Sequence, residues 1–161
     1  MLKWWKRKDT DKEVVLKSIC QGRCIPIESI PDKMFAEKML GDGIGFVIEG
    51  DKVYAPCDGE MMLVAKTNHA VGIRAENGAE ILIHVGLDTV NLQGEGITSK
   101  VKVKDKIKTG TILLELDRPS LEAKNINLTT AMIITNGSYI LNKFPYKQVE
   151  PFCEVMTVIK Q

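Results

Sequence analysis

Short apolar runs, each closed off by glycine, asparagine or aspartate, recur along the whole chain. They predict strands over residues 14–19, 46–48, 61–64, 71–74, 81–85, 112–116, 131–134 and 155–159. Between them stand turn-forming breaks: "GDGIG", "EGDK", "PCDG", "ENG", "QGEG", "KTG" and "TNGS". Long 3.6-residue periodicity is nearly absent. Many short strands joined by turns predict an all-β sandwich or barrel-like domain. "DKMFAEKML" reads as a short helix capped by Asp32, and "PSLEAKN" as one more helical turn. "GDGIG" lacks the Lys-Ser/Thr ending and the following helix of a phosphate loop, so it is expected to form a tight turn. "VKVKDKIKTGTILLELD" reads as a basic, exposed hairpin. One domain is expected over 13–161, preceded by a tail, residues 1–12, of different character.

Composition removes several function classes. The chain has 161 residues, enough to bury its own core. A net charge of +1 and 6% aromatic content give neither the basic field nor the stacking surface expected of a nucleic-acid binder. No run reaches the roughly 18 apolar residues of a membrane span. The basic N-terminus is followed by no apolar segment of a secretory signal, so a cytoplasmic protein is expected. Of the four cysteines only Cys20 and Cys24 are close in sequence, and nothing completes a zinc pattern around them. They are expected to be free thiols, as are Cys57 and Cys153.

The chain holds two histidines, His69 and His84. His84 interrupts the apolar run of "GAEILIHVGLDTV"; His69 lies in "TNHAVGI". Asn77-Gly78 between the two strands is a strong two-residue hairpin signal. Centring the turn there sets His84 opposite Val71 and His69 opposite Gly86. His69 and His84 then share one face as diagonal neighbours, roughly 5–8 Å apart. A three-residue loop would shift the register by one and put the rings on opposite faces. With Gly86 across from His69, no side chain fills the space between the rings. Two imidazoles on one face can ligate a metal, work as an acid–base pair, or present a nucleophile beside a helper. No third histidine exists and Asp88 is the one local carboxylate, which weakens the metal reading. No hydrolase motif supports the acid–base reading. A neutral imidazole is a good phosphoryl acceptor when its other nitrogen is held as a donor. Spacing alone leaves all three open.

"GAEILIHVGLDTV" resembles the signature of the glucose-family enzyme IIA component of the bacterial phosphoenolpyruvate-dependent sugar phosphotransferase system. "IPDKMFAEKMLGDGIGF", "VYAPCDGEM", "TNHAVGI" and "NLQGEGI" match further segments of that family in the same order. The resemblance covers about residues 14 to 161. It implies an antiparallel β-sandwich, most plainly a monomer, working without cofactor or metal. His84 matches the histidine that accepts a phosphoryl group on Nε2 from the phosphocarrier HPr. That group then passes to a cysteine of a IIB domain, which phosphorylates sugar entering through a IIC channel. His69 matches the partner that steadies the phosphoryl group, and Thr67 the hydroxyl that orients it. The Gly86 carbonyl matches the acceptor fixing the His84 ring. Asp32 and Asp88 match carboxylates that meet an HPr arginine, with Met34, Phe35, Met39, Val71, Leu82 and Val90 as an apolar docking rim. Ala65 and Lys66 depart from the larger apolar residue and acid of many relatives. "SICQGRCIPIESIPD" lacks the family's usual first proline.

Two other classes compete with that reading. A zinc peptidase on a related sandwich needs an HxxxD pair and a later HxH, and the chain has neither. A regulatory binding module of the same fold would sense phosphorylation state without transferring the group. The first ten residues, "MLKWWKRKDT", add Lys3, Lys6, Arg7 and Lys8 to Leu2, Trp4 and Trp5. That mixture suits weak contact with an anionic membrane surface.

Overall fold

The computed structural model describes residues 12–145 and 147–161; residues 1–11, which carry the basic, Trp-containing segment, and Tyr146 lie outside the described residues. The expected apolar runs are strands: β1 (Glu13–Lys17), β3 (Asp42–Ile48), β5 (Gly59–Val64), β6 (Ala70–Ala75), β7 (Glu80–His84), β10 (Ile112–Leu116), β11 (Thr129–Ile134) and β14 (Glu154–Lys160). Further strands complete the sheets: β2 (Gly22–Pro26), β4 (Lys52–Tyr54), β8 (Ile97–Ser99), β9 (Lys106–Ile107), β12 (Tyr139–Lys143) and β13 (Lys147–Val149). Two short helices, α1 (Lys33–Ala36) and α2 (Arg118–Ala123), are capped by Asp32 and Asp117, whose side chains accept from the amides of Met34 and Ser120.

The pairing is antiparallel throughout. Eight strands form one open sheet in the order β13-β2-β3-β11-β7-β6-β5-β9, faced by the three-stranded sheets β1-β14-β12 and β4-β10-β8. The protein is therefore an antiparallel β-sandwich, and the barrel-like alternative does not hold because the large sheet keeps two edges. Alternation supplies the main core: Ile44, Phe46, Ile81, Ile83 and Met132 from the large sheet meet Leu16, Val53, Leu114 and Val158 from the small ones. Full burial of each such side chain contributes about 1.5–3 kcal/mol.

A second, smaller core covers part of the other face of the large sheet. Ala131 and Ile133 of β11 pack there with Ile27, Ile30 and Phe35, and with half-buried Leu82. This explains why all six residues of β11 are buried and why its sequence reads as a continuous apolar run after two threonines. Two expectations fail here. "GDGIG" is not a turn but enters β3, between β2 and β11. Gly45 is needed because a Cβ would lie 2.9 Å from Ile25 Cγ1 and 3.0 Å from Ile30 Cδ1, the side chains that cover the sheet. The "VKVKDKIKTGTILLELD" segment is not a hairpin either: β9 pairs with β5, whereas β10 pairs with β4 and β8.

Candidate functional site

His84 is the last residue of β7 and lies on the outer face of the large sheet, as its neighbour Ile83 points into the main core. Its cross-strand partners on both sides are alanines, Ala70 on β6 and Ala131 on β11. Two short side chains leave the imidazole standing clear above the sheet. Phe35 of α1 packs beneath it, with ring centroids 5.0 Å apart and planes tilted by 52°.

His69 comes to the same place by a route the strand pattern does not predict. The hairpin register is one residue away from the expected one: Val71 pairs with Ile83, and Ala70 with His84. The cause is the turn, where Ala75 and Ala79 close a three-residue loop, Glu76, Asn77 and Gly78, with Gly78 at φ +87°. Simple alternation in this register would send His69 to the core side. The chain escapes that outcome because His69 lies outside β6. It follows Asn68, which sits in the left-handed region at φ 58°. Asn68 is clamped there: its amide donates to the Ala65 carbonyl at 2.8 Å and its side-chain Nδ2 to the Ile97 carbonyl at 3.0 Å. The His69 carbonyl still accepts from the Val85 amide at 2.7 Å, continuing the ladder. The two imidazoles meet edge to face, with centroids 5.0 Å apart and planes at 75°. Convergence is therefore observed, but the break at Asn68 produces it and not a two-residue hairpin.

Each ring has one nitrogen committed to the fold. His84 Nδ1 donates to the Gly86 carbonyl at 3.1 Å; a carbonyl can only accept, so the ring's lone pair is on Nε2. His69 Nδ1 makes a short hydrogen bond with the Thr67 hydroxyl. Gly86 has φ +73°, and a Cβ there would meet Thr89 Cγ2 at 2.6 Å and the Asn127 carbonyl at 3.0 Å. Glycine is thus required by the turn after β7 and not, as the expected register had it, by the space between the rings. Burial lowers the pKa of both imidazoles. At His84 the Gly86 carbonyl and the Asp32 charge partly oppose it. At His69 the neighbouring His84 adds to the lowering.

The remaining expected residues divide into those at the surface and those below it. Asp32 is half-buried at the start of α1, and Asp88 is exposed at φ 57° after the Gly86 turn. Met34, Met39 and Val90 are exposed by 47%, 68% and 51%, enough for a partner to cover. Leu82 is half-buried on the outer sheet face, against the second core. Val71 is a correction: it points into the main core with no exposed surface, so its side chain cannot belong to a docking rim. Phe35 is likewise buried and forms the floor under His84. The sequence reading also missed Asn68, Ala70 and Ala131, whose roles depend on loop geometry and on strand neighbours distant in the chain. The thiols of Cys20, Cys24 and Cys57 are buried and pushed up to about 12, mainly by desolvation, and all four cysteines are free. Among the described residues no three His, Cys, Asp or Glu side chains gather where they could hold a metal ion.

Comparison with known proteins places this geometry in a class. Residues 14–140 match the family described as "phosphoenolpyruvate-dependent sugar phosphotransferase system, EIIA 1". The glucose-specific EIIA component of the system in Oceanobacillus iheyensis is 46% identical over 125 residues, covering 78% of this chain and 76% of that protein. The solved structure of the glucose permease IIA from Mycoplasma capricolum superposes with a TM-score of 0.85 at 32% identity, covering 91% of this chain and 96% of that one. The class is that of phosphocarrier components of the sugar phosphotransferase system. The chain belongs to its EIIA family, whose members work with HPr and IIB components. No helix among the described residues is long and apolar enough to cross a membrane.

Proposed function

We propose that the protein carries a phosphoryl group on His84, taking it from phosphorylated HPr and passing it to the cysteine of a IIB domain for coupled sugar uptake. The observation that carries this reading is the Nδ1–H bond to the Gly86 carbonyl, which leaves the Nε2 lone pair free to attack. As the Nε2–P bond forms, the bond from phosphorus to the donor breaks and its electron pair stays with the donor. The Nδ1 proton remains on the ring, and the Gly86 carbonyl stabilises the positive charge that develops there. On the way out the IIB thiolate forms an S–P bond and the Nε2–P pair returns to His84. Thr67 donates its hydroxyl hydrogen to His69 Nδ1, so that Nε2–H of His69 faces the phosphoryl oxygens as a donor. Asp32 and Asp88 offer carboxylates to an HPr arginine, and Met34, Met39, Leu82 and Val90 a part-apolar surface around the site. Similarity to a glucose-specific EIIA component and to a glucose permease IIA favours a glucose-type system as the one served.

The test supplies phosphoenolpyruvate, enzyme I and HPr. Mass spectrometry is expected to find one acid-labile phosphate on the peptide holding His84. His69→Gln is expected to accept the group but to pass it on about 10²–10³-fold more slowly, the usual cost of losing a charge-stabilising donor. Phosphate on His69, or none on the protein, would overturn the reading.

A further inference from the structure

Three consecutive peptide groups after His84 are held from outside the strand, and two buried hydroxyls do the central part. The amide of Val85 donates to the His69 carbonyl at 2.7 Å. In the next peptide the Val85 carbonyl accepts from Thr89 Oγ1 at 2.5 Å, and the Gly86 amide donates to Thr130 Oγ1 at 3.3 Å. In the third the Gly86 carbonyl accepts the hydrogen bond of His84 Nδ1–H, and the Leu87 amide donates to the Asn127 carbonyl at 2.9 Å. The middle plane is thus pinned at both ends by side chains that lie nowhere near the solvent: Thr89 and Thr130 both have 0% exposure.

Packing alone gives no reason for threonine at either place. Valine has the same branched shape, and a hydroxyl taken into an apolar core is costly unless its bonds are made. Those bonds are made here. Thr130 accepts from Gly86 and donates its own hydrogen to the Leu128 carbonyl at 2.9 Å. Thr89 spends its one hydrogen on Val85. Gly86, at φ +73° and without a Cβ, puts little restraint of its own on the bonds that aim its carbonyl, so the peptides on either side supply it, Thr89 and Thr130 holding the one before and Asn127 the one after.

We propose that Thr89 and Thr130 are positioning residues: by locking the Val85–Gly86 peptide they aim the Gly86 carbonyl at His84 Nδ1 and so keep the lone pair on Nε2. The value of this to phosphoryl transfer rests on the function proposed above, but the tautomer itself is measurable without any transfer. In the wild-type full chain, ¹⁵N spectra are expected to show His84 protonated at Nδ1, with the Gly86 amide among the slowest to exchange. Thr89→Val and Thr130→Val are expected to populate the Nε2–H tautomer of His84 and to slow acceptance from phosphorylated HPr by roughly 10- to 10²-fold, the scale of a small misplacement. HPr affinity should not change, and Thr→Ser at either position should restore both the tautomer and the rate. Folded Val variants with the wild-type tautomer and rate would overturn the proposal. A rapidly exchanging Gly86 amide in the wild type would overturn it equally, whether or not the variants fold. No transfer by the wild type, with the tautomer shift still seen in the variants, would sink the proposed function and leave the positioning roles standing.

Discussion

At His84 and His69 burial acts on the protonation state in a direction that links stability to chemistry. Both rings are held below the ordinary imidazole value of about 6.5, because desolvation disfavours the cation. The unfolded chain therefore binds more protons than the fold wherever pH lies between the two values. The stabilisation is fully present above about pH 6.5 and is lost as pH falls through the depressed folded values. Denaturant midpoints of the wild type are expected to drop as pH is lowered from about 7 to 5, and those of His84→Gln to drop less. Equal slopes for the two proteins would remove His84 as a source of the linkage. The same shift keeps Nε2 unprotonated at neutral pH, the state a nucleophile needs.

The β6–β7 hairpin shows at the level of elements what the sequence discloses and what it conceals. Asn77-Gly78 marks the turn correctly, because Gly78 does occupy the left-handed region. Asn77 has a different job from the one its type suggests. It is buried, its Nδ2 donates to the carbonyls of Lys12 and Val158, and its Oδ1 accepts from the Ala79 amide. It ties the hairpin to the β1–β14 sheet across the sandwich. Asn77→Ala deletes three bonds, two of them buried, so a loss of about 2–4 kcal/mol is expected in denaturant titrations. A change below about 0.5 kcal/mol would mean that water replaces the amide. His84 lies at the other end of β7, so phosphoryl acceptance per folded molecule should not change.

The eight strands built on apolar runs were legible because such runs mark buried or half-buried strands whatever their neighbours. β4, β8, β9 and β13 were not, being two or three residues long, and β2 and β12 were not because Gly22, Arg23 and Pro26 in the one and Asn142 and Lys143 in the other break up the apolar pattern. Their strand character comes from the neighbour they pair with, as Lys147–Val149 does along Cys24–Gly22. The site divides in the same way. His84, His69, Thr67 and Gly86 stand in short motifs, and a resemblance could find them. The flanking alanines, the Asn68 clamp and Thr130 act through residues brought together by the sheet, and Thr89, though inside a motif, acts through a local bond to Val85 that its residue type does not announce.

Charge across the whole molecule is nearly balanced, at +1, so attraction to a partner depends on where acids remain uncompensated. Asp42, near α1, is met by Lys143 and by Lys38, and Lys38 also meets Glu28. Asp32, whose charge acts on the His84 ring, and exposed Asp88, two residues past Gly86, enter no ion pair among the described residues, and Met34, Met39 and Val90 are exposed. Negative groups set in a part-apolar surface favour a basic partner and act mainly on encounter. Removing them needs care with Asp32, whose carboxylate caps α1; asparagine keeps the cap while deleting the charge. Asp32→Asn with Asp88→Lys is therefore expected to fold normally and to lower the association rate with HPr by roughly tenfold at low salt. The difference should shrink as added salt brings the screening length to about 10 Å at 0.1 M and below. Dissociation should change much less, because the apolar contacts are kept. Stopped-flow association over a salt series measures all three quantities, and unchanged rates at low salt would place neither carboxylate at the interface.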